Sequence, residues 1–93
     1  MRFEFDQAKS RANKIKHGID FVEAQKMWLG SYTEIKVVKV DNAENRVVLT
    51  GMIDGAHWSA VITIRGDAIR IISVRRARND EKEIYKKHIS RGI

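Results

Sequence analysis

Hydrophobic positions change their period along the chain, and the changes divide it into elements. Phe3 and Phe5 alternate with Arg2, Glu4 and Asp6, the two-residue period of a short edge strand. Asp6 then suits the N-cap of a helix over residues 7–17, with Ala8, Ala12 and Ile15 on one side and Gly18 in the left-handed position past its end. Asp20-Phe21-Val22-Glu23 has the spacing of a capping box and predicts a second helix. Ala24, Met27 and Trp28 give that helix apolar contacts, and Gly30 ends it. From residue 32 the period falls to two. Strands are predicted over 32–40 (Ile35, Val37 and Val40), 46–53, 56–64 and 68–75, with turns at 41–45, Asp54-Gly55 and Gly66-Asp67. Asp80-Glu81-Lys82-Glu83 opens a last helix with Ile84, Tyr85, His88 and Ile89 on one stripe, and Gly92 follows its end. The expected fold is α+β: a small antiparallel sheet of four to five strands, two N-terminal helices and one C-terminal helix, with the helices packed on one face.

Turn lengths convert this order into a register. If both Gly-containing turns have two residues, Val47 faces Ile62, Leu49 faces Ala60, Gly51 faces Trp58, Ile64 faces Ile69 and Ile62 faces Ile71. That face is apolar. The other holds Arg46, Val48, Thr50, His57, Ser59, Val61, Thr63, Arg70, Ile72, Val74 and Arg76. Arg46 and Arg70 then flank Thr63 across three strands, with Cα atoms roughly 10 Å apart, close enough for two guanidinium groups to hold one phosphate. The same charges also suit a plain solvated face. A single bulge would exchange the faces beyond it.

Composition narrows the class. The chain has 93 residues, 43% of them hydrophobic, so one domain spanning 1–93 is expected. It has no Cys and no Pro, which excludes disulfide scaffolds, Cys-based zinc sites and thiol catalysis. His17, His57 and His88 lack metal-site spacing, and no metal or cofactor is expected. No apolar stretch is long enough to span a membrane, and the N-terminus lacks the apolar core of a signal peptide, so a cytoplasmic location is expected. Net charge is +6, and it is uneven: residues 1–30 carry +2, 31–64 carry −1 and 65–93 carry +5. A local basic excess favours an anionic partner, first nucleic acid and then an acidic protein. Arg75, Arg76 and Arg78 cluster between the last strand and the last helix, with Glu81, Glu83 and Tyr85 close behind. On the first helix Lys9, Asn13, Lys16 and His17 fall on about one side. Trp28 and Trp58 fall on apolar faces and read as core.

Two blocks of residues carry a family resemblance. Phe5-Asp6, Lys9, Asn13, Lys16-His17-Gly18, Phe21 and Glu23-Ala24 resemble the opening signature of the BrnT family. Arg70-Ile71-Ile72-Ser73-Val74-Arg75-Arg76-Ala77, followed by Glu81 and Tyr85, resembles its closing signature, with Val74 where Ala is common. The resemblance implies a RelE-like fold and a metal-independent endoribonuclease, the toxin of a type II toxin–antitoxin system that stops translation by cutting RNA. It also implies a BrnA-like ribbon–helix–helix antitoxin as partner, with operator DNA contacted only through the complex. The signature stresses Arg75, which the counted register puts on the apolar face beside Trp58.

Metal-free RNA cleavage uses the neighbouring 2′-hydroxyl as nucleophile. It needs a proton acceptor, a proton donor for the leaving oxygen, and cations for the charge that builds on phosphate. Arg46, Arg70 and Arg75 are the candidates for the cations. His17, Glu81 and Tyr85 are the candidates for proton transfer, with His57 in their place if the polar sheet face is the site. Lys9, Lys16, His57, Thr63, Ser73, Arg76 and Arg78 are candidates for RNA binding. Two other readings fit the charge: a non-catalytic nucleic-acid-binding module, and an interaction protein whose basic surface docks an acidic partner.

Overall fold

The computed structural model describes residues 1–39 and 44–91. The expected turn at 41–45 and the positions Val40 and Gly92 therefore lie partly or wholly outside the described residues. In chain order the elements are β1 (Arg2–Glu4), α1 (Gln7–His17), a 3₁₀ helix (Glu23–Leu29), β2 (Tyr32–Val38), β3 (Arg46–Ile53), β4 (Ala56–Arg65), β5 (Ala68–Arg76) and α2 (Asn79–Arg91). The strands form one sheet in the order β1-β5-β4-β3-β2. β2 to β5 are antiparallel neighbours, as expected. β1 instead joins β5 in parallel, because α1 and the 3₁₀ helix intervene before the chain re-enters the sheet, and the sheet is mixed.

α1 has the predicted ends. The Asp6 carboxylate accepts from the Lys9 N–H at 2.9 Å, and Gly18 takes a left-handed conformation after the last turn. Its buried face differs from the expectation. Ala8, Ala12 and Ile15 point outward, and Ser10 and Asn13 point in. The reason is the neighbour: α1 lies along β5 rather than over an apolar face. Where β1 ends, β5 would expose an unpaired edge. Asn13 closes it, donating to the Val74 carbonyl at 2.9 Å and accepting from the Val74 N–H at 3.2 Å. The same amide donates to the Ile19 carbonyl, and Ser10 accepts from the Phe21 N–H, so α1 also anchors the segment that follows it. A buried polar stripe of this kind leaves no apolar period to read.

The second helix forms as a 3₁₀ turn, not an α-helix. Asp20 caps it by accepting from the Val22 and Glu23 N–H groups. Glu23 does not return to close the box; its carboxylate pairs with Lys14. Ala24 and Met27 are buried as expected. The fit is close: a Cβ at Gly51 would lie 2.7 Å from Met27 Cγ, so only glycine admits this approach.

The core lies between this segment and the apolar sheet face, and includes Ile19, Phe21, Ala24, Met27, Leu49, Ile53, Ala60, Ile62, Ile71 and Val74. Edge-on pairs Phe3–Trp28 and Phe5–Phe21 close its border. Asp54 and Gly55 both have positive φ, at 49° and 82°, which sets the tight turn and the β3–β4 register as counted.

The β4–β5 register holds from Ile64↔Ile69 to Ile62↔Ile71 and then shifts at a bulge. Val61 faces Ser73, Ala60 faces Val74, Ser59 faces Arg75 and Trp58 faces Arg76. The extra residue on β5 exchanges the two faces beyond it. Val74 is fully buried in the core instead of lying on the polar face. Arg76 shares a face with Trp58, and Arg75 leaves it. The expectation that all helices cover one face is corrected too. α2 packs on the opposite face, against β2 and β3 and over Ser59. No helix among the described residues is long and apolar enough to cross a membrane.

Candidate functional site

The bulge brings Arg70, Ser73 and Arg75 onto one face of β5, opposite Thr63, Val61 and Ser59 of β4. His57 and Thr50 share that face. Two clusters occupy its two ends.

The first is a network at the start of α2. Glu81 is the third residue of the helix, and its carboxylate turns back to accept from the Arg78 N–H at 2.9 Å. The predicted Asp80–Glu83 box is replaced by this contact, because the helix begins at Asn79 and the cap position falls two residues earlier, at Arg78. The Arg75 guanidinium grips the same carboxylate through two parallel bonds of 2.8 and 2.9 Å. Ser59 donates to it at 2.8 Å, so the 2.6 Å contact between Ser59 and Thr50 uses the Thr50 proton. Glu81 is 2% exposed. Arg75 holds its carboxyl well below the ordinary 4.5, at about 2, with help from the Arg78 N–H and Ser59 and against the effect of burial. The Arg75 pKa is raised by the same bond.

Beside this network, the His57 and Tyr85 rings meet edge-on with centroids 5.4 Å apart. The Tyr85 hydroxyl donates to the Ser31 carbonyl at 3.3 Å, and the residue is 8% exposed. Burial lowers the His57 pKa below the usual 6.5, and the positive charges of Lys82, Lys86 and Arg76 lower it further. His57 is therefore a neutral imidazole near pH 7, set among cations. The Arg76 guanidinium lies 5.2 Å from the centre of the Trp58 ring.

The second cluster lines a shallow cavity of about 160 Å³ at the other end of the face. Glu44, Arg46, Thr63, Arg65, Arg70 and Ile72 form its wall. The expected convergence of Arg46, Thr63 and Arg70 is present, with Thr63 paired to Arg70 across the strands. Arg70 also lies 3.8 Å from the Glu4 carboxylate. Thr63 donates to one Glu44 oxygen and Arg65 to the other, both at 3.0 Å.

The candidates thus divide. Arg75, Glu81, Tyr85 and His57 meet at one end of the face, and Arg46, Thr63 and Arg70 at the other. Ser73 lies between them on β5, and Arg78 reaches Glu81 through its backbone. Lys9, Lys16 and His17 are on α1 and line neither this cavity nor a second one bounded by Gly18, Ile19, Glu23, Ile53, Asp54, Ala56 and Trp58. Lys82, Lys86, Arg65 and Glu44 were missed. Lys82 and Lys86 had a readable signal, their four-residue spacing on one helix face. Among the described residues, no three His, Cys, Asp or Glu side chains gather where a metal ion could be held.

A family model described as the ribonuclease toxin BrnT of type II toxin–antitoxin systems matches residues 5–81. None of the curated proteins is similar enough to match.

Proposed function

The chain belongs to the BrnT family of ribonuclease toxins of type II toxin–antitoxin systems, and from that premise we propose that it cuts RNA on the sheet face that carries α2. Translation stops as the consequence, in the cytoplasm, and a BrnA-like ribbon–helix–helix antitoxin keeps the toxin inactive. Operator DNA is contacted only through that complex. The observation that supports this reading is the convergence of Arg46, Thr63, Arg65 and Arg70 on one cavity, on the same face as a neutral imidazole surrounded by cations.

The reaction needs no group from outside the chain. The ribose 2′-hydroxyl attacks the adjacent phosphorus, His57 takes its proton, and the 5′-oxygen departs with a proton from Lys82 or Lys86. The products are a 2′,3′-cyclic phosphate and a 5′-hydroxyl. Lys82 and Lys86 offset the charge that builds on the non-bridging oxygens, and Arg76, held over Trp58 on the other face, adds only to the surrounding positive potential. Tyr85 orients the His57 ring. Arg75 and Glu81 are positioning residues: each is engaged by the other, and together they fix α2 to the sheet. A carboxylate with a pKa of about 2 and four hydrogen bonds is a poor proton acceptor, so Glu81 takes no proton in the reaction. Thr63 lies six positions along β4 from His57, about 20 Å at the strand rise. The arginine cavity therefore grips a phosphate remote from the one that is cut. Ser73 lies on the path between the two. Lys9, Lys16 and Arg78 extend the basic border.

Labelled RNA incubated with the purified protein in excess chelator tests this reading. Fragments ending in 2′,3′-cyclic phosphate are expected, forming about 100-fold more slowly when His57 is replaced by Gln. RNA that is bound but never cut by the unmodified protein would overturn the enzyme reading in favour of a non-catalytic binding module.

A further inference from the structure

The arginine cavity contains its own anion. Glu44 lies two residues before Arg46, just ahead of β3, and both side chains line the cavity. Its two carboxylate oxygens are each taken by a different donor, Thr63 Oγ1 and Arg65 Nε. This is the arrangement in which two oxygens of a phosphate are held, one by a hydroxyl and one by a guanidinium. Arg46 and Arg70 line the same space. A phosphate seated between Arg46, Thr63 and Arg70 competes with Glu44 for Thr63, and two like charges at that range repel.

We propose that Glu44 is an internal competitor for the phosphate cavity, a built-in brake that RNA must displace in order to bind. This rests on the reading of the cavity as an RNA phosphate site. The displacement is feasible because the ion pair is weak: the Glu44 side chain is 46% exposed and that of Arg65 50%. Exposed pairs contribute at most about 1 kcal/mol, so the brake lowers RNA affinity by about fivefold and does not abolish binding. Thr63, in contrast, is 6% exposed, and its hydroxyl must have an acceptor, which Glu44 provides when RNA is absent. Glu44 thus keeps the empty cavity satisfied and sets a threshold on what can enter it. A phosphate can replace both of its hydrogen bonds, whereas a neutral ligand cannot.

The test is the affinity of a 2′-O-methyl RNA oligonucleotide, which cannot be cut, measured by fluorescence anisotropy at fixed salt. Glu44→Gln is expected to bind about fivefold more tightly. Glu34→Gln removes the same unit charge from an exposed position on β2 and is expected to change affinity less than twofold. In an Arg46→Ala/Arg70→Ala background the gain from Glu44→Gln should vanish. Equal effects of Glu44→Gln and Glu34→Gln, or a gain that survives in the double-alanine background, would overturn the brake. If the double-alanine variant itself binds RNA as tightly as the unmodified protein, the phosphate reading of the cavity fails, and the brake falls with it.

Discussion

Arg70 and Arg75 lie on the same face of the same strand, five residues apart, and meet opposite fates. Arg75 is bound by a carboxylate that is 3% exposed, with every oxygen of that carboxylate engaged. Arg70 faces an open cavity, with Glu4 only loosely at 3.8 Å. The cavity's own carboxylate, Glu44, is half-exposed. Identical side chains are thus committed to structure in one place and available to a ligand in the other. What separates them is the burial of the partner. A buried pair cannot exchange its counter-ion without leaving a charge unpaired away from water, whereas an exposed pair can. Guanidinium groups on a basic toxin are therefore not equivalent candidates for phosphate binding, even when they sit on one face.

Removing a buried partner is the strongest way to break this contrast. Glu81→Ala leaves the part-buried Arg75 guanidinium without its counter-ion and takes the acceptor from Ser59 and from the Arg78 N–H. A loss of about 3–5 kcal/mol in urea unfolding is expected. The equivalent change in the cavity, Glu44→Gln, should alter stability by less than about 1 kcal/mol. Similar losses for the two variants would erase the distinction between the clusters.

Acid titration reads the same pair without mutation. The Glu81 carboxyl is depressed in the folded state from 4.5 to about 2. The unfolded chain thus binds its proton first as pH falls, and the stability due to this group is complete above about pH 5 and lost progressively toward pH 2. The contribution at neutral pH is of order 3 kcal/mol. Urea midpoints between pH 6 and 2.5 should fall less steeply in Glu81→Gln than in the unmodified protein. Parallel curves would mean that the carboxyl is not held as described.

The imidazole sharpens the contrast from the catalytic side. His57→Gln is expected to lower the single-turnover rate of RNA cleavage by about 100-fold with affinity nearly unchanged. Because the His57 pKa lies below 6.5, the acid limb of the rate profile should also lie below 6.5. A variant that cuts at the original rate would remove His57 from the reaction.

Smaller effects belong to the open arginines. Arg70→Ala or Arg46→Ala should weaken RNA binding about tenfold, reduce the salt dependence by about one counter-ion, and leave the cleavage rate at saturating RNA little changed. Loss of cleavage at saturation would move the bond that breaks into the arginine cavity.

Much of this molecule follows from local rules. Asp6 and Gly18 delimit α1 because a cap and a left-handed residue act within one turn of chain. Asp54-Gly55 sets the β3–β4 register because a two-residue turn leaves the pairing no freedom, and Thr63 opposite Arg70 follows from the next turn in the same way. That much of the arginine cavity is visible in the residue order. Other features depend on partners far away in the chain. Asn13 is buried on α1 because β5 needs an edge partner sixty-one residues later. Trp58 keeps its place on the apolar face, but the residue beside it is Arg76 and not Arg75.

The amino-acid order by itself determined the elements, their sequence, the apolar face as far as the bulge and the family, since all of these are written in spacings of a few residues. The tertiary structure alone decided which face Arg75 occupies, where α2 docks, and which arginines are already neutralised. A bulge costs one residue of register and has no side-chain signature of its own, yet it exchanges the faces of everything beyond it. Counter-ion burial depends on packing across the sheet, which no local pattern encodes.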